Sequence, residues 1–140
     1  MKILIAVDGS DHTKRMLAYL GEHQALLGAN RQYTVFTAVA PIAPYAARFL
    51  DQAMLDAQYQ AQSEEIFAPV RTFAQQQGWD LNFFYVPGHA AEAIAELAQK
   101  EQFDLIVMGT HGHSSLGRLL LGSVTSGVLA RCQVPVLLVR

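Results

Sequence analysis

Glycines and hydroxyls gather where a backbone could hold phosphate. Met108-Gly109-Thr110-His111-Gly112 is followed, after nine intervening residues, by Gly122-Ser123. Phe103 to Met108 is a nearly continuous apolar run, the pattern of a parallel strand covered on both faces, and the glycines begin where that strand should end. Glycine lets another group approach the backbone, and Ser123 stands where a new helix would expose unpaired N–H donors. Those donors suit an anion. A second strand end, Val7-Asp8-Gly9-Ser10, carries an acidic residue that would be costly to bury alone. Asp8 therefore faces a pocket or caps a helix.

Other chemistry finds little support. The Gly-x4-Gly-Lys-Ser/Thr loop of phosphate transfer is absent, and no lysine follows Gly112 or Gly122 to neutralise a leaving phosphate. No Gly-x-Ser-x-Gly elbow is present, so a serine hydrolase lacks its sequence context. His111 and His113 flank Gly112 but have no Cys, His or acidic partners at zinc-ligand spacing, and His12, His23 and His89 read as surface or capping positions. Binding is expected rather than turnover, with slow nucleotide hydrolysis at most.

The elements that must position these residues alternate between strand and helix. Lys2 to Val7 reads as a strand, Asp11 to Leu27 as a helix closed by Gly28-Ala29-Asn30, and Tyr33 to Val39 as a second strand. After Pro41-Ile42-Ala43-Pro44, a helical segment from about Ala47 to Gln77 carries Pro69, which should kink or split it. Leu81 to Val86 is a third strand, Pro87-Gly88 a turn, and Ala90 to Lys100 a helix with Ala93, Ile94 and Leu97 inward. Phe103 to Met108, a helix opening near Ser123 with Val124, Val128 and Leu129, and a last strand Val136 to Val139 complete the chain. Such alternation predicts one α/β domain over residues 1–140, doubly wound, with a parallel sheet and helices on both faces. Ligands of these sheets bind beyond the strand ends where strand order reverses, which puts the first and fourth strands side by side with a pocket between them.

Composition bounds the partners. The chain has 140 residues, 51% of them hydrophobic and 16% charged, enough to bury a core and too apolar for disorder. The net charge of −2, without a basic run longer than Lys14-Arg15, argues against nucleic acid. No apolar run approaches the ~20 residues of a membrane span, and Met1-Lys2 leads straight into a strand rather than a cleavable signal, so a cytoplasmic location is expected. The lone Cys132 excludes an intramolecular disulfide and reads as packing. An apolar final strand left open would be an aggregation hazard, so a partner strand is expected.

The spacing Gly109-x2-Gly112-x9-Gly122-Ser123, with Ile5-Ala6-Val7-Asp8-Gly9-Ser10 and the ending Val134-Pro135-Val136-Leu137-Leu138-Val139, closely resembles the universal stress protein family across the whole chain. The glycine motif is the form of that family's ATP-binding branch. The resemblance implies a five-stranded sheet of order 3-2-1-4-5, with ATP, or AMP or ADP, at the switch between the first and fourth strands. Gly109 and Gly112 would let amides approach ribose and phosphate, or simply shape turns. Gly122, Ser123, Val124 and Thr125 would meet the phosphates, Ser123 serving also as an N-cap. Asp8, together with Val7, would contact the adenosine part or place a magnesium ion. Val39 would offer its backbone to the adenine edge, and Ala6 and Met108 apolar surface to the ring, unless they are plain core. His111 would lie near ribose or phosphate, and Arg118 would reach a terminal phosphate or stay solvated. The family also implies a homodimer paired through Val136 to Val139. A slow ATPase or phosphotransferase, and a nucleotide-free dimeric interaction module, stand as alternatives.

Overall fold

The structure, a computed structural model, describes residues 1–110 and 121–140. His111, Gly112, Arg118 and the zinc question at His113 lie outside the described residues. Five strands form one parallel sheet: β1 (Lys2–Ala6), β2 (Gln32–Val39), β3 (Leu81–Pro87), β4 (Leu105–Gly109) and β5 (Val136–Val139), in the order β3-β2-β1-β4-β5. The helices are α1 (Asp11–Glu22), α2 (Pro44–Ala47), α3 (Gln52–Gln77), α4 (Ala90–Lys100) and α5 (Ser123–Arg131). The expected doubly wound order is present.

Strand alternation divides the core into two layers. Ile3, Ile5 and Val7 point to one face with Val35 and Val107, where Met16, Leu17 and Leu20 of α1 and Phe67 and Val70 of α3 cover them. Leu4, Phe36, Ile106 and Met108 point to the other, under Ile94, Ala95 and Ala98 of α4 and Val128 of α5. Residues 3–6 of β1 and 105–108 of β4 are thus apolar at every position because both faces of the sheet are covered there. Leu129, on the outer side of α5, is 45% exposed.

Element boundaries depart from the sequence pattern where a side chain competes for the backbone. The helix expected to reach Leu27 ends at Glu22. Both the backbone N–H of His23 and its ring Nδ1 meet the Tyr19 carbonyl, and a 3-10 turn, Gln24–Leu27, follows with Leu27 still buried. The segment expected from Ala47 is divided, because Asp51 caps α3 by accepting the Met54 N–H at 2.8 Å. Pro69 does not split α3, which runs as one helix through it. The fourth strand starts at Leu105, not Phe103, whose N–H instead closes α4 on the Ala98 carbonyl.

Candidate functional site

The sheet reverses direction between β1 and β4. Their last paired residues are Ala6 and Met108, and the layers part there, α1 leaving on one face and α4 and α5 lying on the other. A crevice of about 600 Å³, its solvent-open part included, lies at this point. Of the residues singled out in the sequence, Ala6, Val7, Asp8, Met108, Gly109, Gly122, Val124 and Thr125 line it.

Two others sit differently. Val39 is only 3% exposed and its carbonyl accepts the Gly88 N–H, while Thr37 and Ala38 take the crevice surface. Ser123 is exposed as the first residue of α5, and the N-cap is Gly122. The first helical bond at this end runs from the Ser126 N–H to the Gly122 carbonyl at 3.0 Å. The amides of Ser123, Val124 and Thr125 therefore have no partner within the helix, and the positive end of the helix dipole lies beside the crevice. Gly122 has φ −60° and ψ 159°, ordinary extended backbone, so its value is lack of bulk rather than conformational freedom.

Gly109 is small for a reason the spacing does not reveal. A Cβ there would stand 3.0 Å from the His12 Cβ and 3.2 Å from the His12 carbonyl oxygen, because the first turn of α1 packs against the end of β4. Gly109→Ala is accordingly expected to lower stability by about 1–2 kcal/mol without any ligand present, measured as a shift in urea midpoint at unchanged slope. An unshifted midpoint would mean that α1 yields and that Gly109 is reserved for a ligand.

His12 and Thr13 of α1, Phe36 of β2, and Ala90 and Ile94 of α4 also line the crevice, and the sequence reading missed all five. His12, read from the sequence as a surface or capping position, is half-buried there. A signal existed for Thr13: a hydroxyl five residues after a strand-end Asp is placed to bind it. Thr13 Oγ1 donates to Asp8 Oδ1 at 3.0 Å and accepts the Asp8 N–H at 3.2 Å. Ser10 donates to the same Oδ1 from its N–H at 3.0 Å and its Oγ at 2.6 Å. Asp8 is exposed and faces the crevice, one of the two placements expected of it, and is the one acidic residue in the described lining.

The crevice thus joins apolar surface from Ala6, Phe36, Ala38, Ile94, Met108 and Val124 to a helix N-terminus and a fixed carboxylate. Among the described residues, no group of three or more His, Cys, Asp or Glu could hold a metal ion, and no helix is long and apolar enough to cross a membrane.

Several known proteins are similar to this chain over nearly their whole length. The family model described as the universal stress protein family matches residues 1–140. A universal stress protein of Thermus aquaticus is 36% identical over 139 residues, covering 99% of this chain and 97% of the relative. A solved universal stress protein in complex with cAMP superposes with a TM-score of 0.67 at 28% identity, over 100% of this chain and 96% of that one. The fold of the universal stress protein UspA from Lactobacillus plantarum is likewise similar, with a TM-score of 0.70 at 24% identity over 100% of this chain and 97% of that one. With residues 1–140 matched and its sheet order shared, the chain belongs to the universal stress protein family.

Proposed function

We propose that this chain binds an adenine nucleotide in the β1–β4 crevice and acts in the cytoplasmic stress response through the bound state and its association, not through rapid turnover. The observation that carries the reading is the first turn of α5, whose unpaired amides adjoin an otherwise largely apolar crevice at the switch point. That combination suits a flat base and an anionic tail. The similar protein crystallised with cAMP supports the same ligand class.

Within this reading Gly122, Ser123, Val124 and Thr125 seat phosphate and Gly112 is kept small for the ligand, whereas Gly109 lines the seat and is kept small by His12. Ala6, Val7, Met108 and the end of β2 at Ala38 and Val39 flank the base, while His111 and Arg118 serve the ribose and phosphate end. ATP, ADP and AMP fit the same seat. β5 stands at an edge of the sheet with half-buried Val136, Leu137 and Leu138. Pairing of that edge with its copy about a twofold axis would close it as a homodimer.

Calorimetric titration of protein freed of co-purified nucleotide tests the reading with ATP, ADP, AMP, cAMP and GTP, with and without magnesium. Saturable binding selective for adenine is expected. Flat traces with all five would replace the reading by that of a nucleotide-free interaction module.

A further inference from the structure

We propose that the β3 edge of the sheet is a second association surface, on which β3 of one chain pairs antiparallel with β3 of another copy about a twofold axis at Phe84. β3 is the outermost strand on its side of the sheet, at the opposite end from β5. The Gly88 N–H bonds to the Val39 carbonyl of β2, and the register sets Thr37 beside Tyr85 and Val39 beside Pro87. Counting back by twos along a parallel ladder, Val86, Phe84 and Asn82 turn their main-chain groups inward to β2, while Phe83 and Tyr85 turn theirs outward. Among the described residues nothing pairs with these outward groups. Sheet edges are commonly blunted by charge, yet none of the seven residues Leu81-Asn82-Phe83-Phe84-Tyr85-Val86-Pro87 is charged. Pro87 has its ring nitrogen on the outward side, where it costs the sheet no donor. Phe84 is 46% exposed although its ring rests on Phe36, with centroids 6.1 Å apart.

The strand is complementary to itself, which makes a second copy its occupant. With the axis at Phe84, Phe83 of each chain faces Tyr85 of the other, and the facing residues exchange both main-chain hydrogen bonds. Phe84 then faces Phe84 of the copy in the closer kind of antiparallel pair, and the exposed rings cover each other. Asn82 faces Val86. Beyond the strands, exposed Asp80 comes opposite Gly88 and next to exposed His89 of the copy, so no acid meets an acid. On the other face the Arg71 guanidinium stands 4.0 Å from the centroid of the Phe83 ring, its charge balanced by Glu64 at 2.6 Å. The contact is small and belongs to the weak, concentration-dependent class. It is separate from the β5 pairing and needs no nucleotide. A chain paired at both edges carries association past the dimer into a row of copies.

Disulfide trapping and sedimentation test the pairing. Phe84→Cys, with diamide as oxidant, should give a disulfide-linked dimer, because the Cα atoms of such a facing pair stand about 4.5 Å apart, within disulfide range. Asn82→Cys, also exposed but two residues off the axis, would meet its own copy only at ~13 Å and should cross-link at least tenfold more slowly. Wild type, with its buried Cys132, is the blank. Sedimentation equilibrium of wild type and Phe84→Lys from about 1 μM to 1 mM reads the association itself. Phe84→Lys sets two like charges face to face on the axis and should weaken the contact at least tenfold, a melting curve confirming its fold. Wild-type assemblies above a dimer that fall to dimers in Phe84→Lys support pairing at both edges. A wild-type dimer that falls to monomer supports the β3 edge and replaces the β5 pairing. If Phe84→Lys does not fold, the two cysteine variants still decide. Cross-linking of Phe84→Cys no faster than that of Asn82→Cys overturns the inference, and a wild-type dimer that persists in Phe84→Lys overturns it with the β5 pairing intact. Wild type that stays monomeric throughout overturns both pairings together.

Discussion

Gly122→Val is expected to weaken adenine-nucleotide binding by about a hundredfold or more, since the loss of two charge-assisted hydrogen bonds is enough for that factor, while the fold persists. The backbone at Gly122 is extended, with φ −60° and ψ 159°, so valine adopts it without strain. Gly122 is the N-cap of α5, where glycine is a fair cap and valine a poor one, and this exchange costs about 1 kcal/mol of stability. Binding suffers far more. The new isopropyl group would stand in the crevice beside the amides of Ser123, Val124 and Thr125 and exclude an anion from all of them. Titration with AMP and ATP gives the loss, and far-UV circular dichroism with a melting curve confirms a folded variant. Affinity within threefold of wild type in a folded variant would show that phosphate sits elsewhere.

The parts of this molecule legible in the sequence are those set by short-range pattern. Ile3-Leu4-Ile5-Ala6-Val7 and Leu105-Ile106-Val107-Met108 are apolar at every position because both faces of the sheet are covered, and they reveal a parallel sheet before any pairing is known. Their strand-end residues, Asp8 and Gly109, were therefore legible as one site. What was hidden depends on long-range approach. Gly109 resembles a ligand glycine, yet its missing side chain makes room for His12, almost a hundred residues earlier in the chain. His12 and Thr13 reach the crevice because α1 starts directly beneath the end of β4, a placement no local spacing encodes. Gly127 is similar: a Cβ there would meet the Ala91 Cβ at 2.6 Å, a closeness of α4 and α5 that only the folded chain makes apparent. The early end of α1 escaped notice because the apolar spacing continues to Leu27, which stays buried in a 3-10 turn just as it would in a helix.

Phe67→Ala is expected to destabilise the protein by about 3–5 kcal/mol, while Met54→Ala in the same helix changes stability by no more than about 0.5 kcal/mol. The contrast follows from how α3 is held. Its 26 residues span roughly 39 Å at the rise of an α-helix, but its buried residues are Ser63, Phe67, Val70 and Ala74. Ile66 sits level with the end of β1, since a Cβ on Gly9 would lie 3.4 Å from its Cγ1. The turns before it extend past the strand ends, and Met54 among them is 50% exposed. Phe67 is 2% exposed and meets the Phe83 ring edge-on with centroids 5.1 Å apart, so truncation leaves a cavity between α3 and β3. Two residues further on, Pro69 has already removed one helical hydrogen bond, which makes α3 depend on this anchor more than a regular helix would. A loss of that size is a large part of the 5–15 kcal/mol that holds a typical domain together. Urea unfolding of both variants measures it. Because Ile66 packs on Gly9, beside the Asp8–Thr13 pairing, the Phe67→Ala protein should also lose nucleotide affinity under conditions where it remains folded. An equal cost at Met54 would mean that the first half of α3 is packed against something other than solvent.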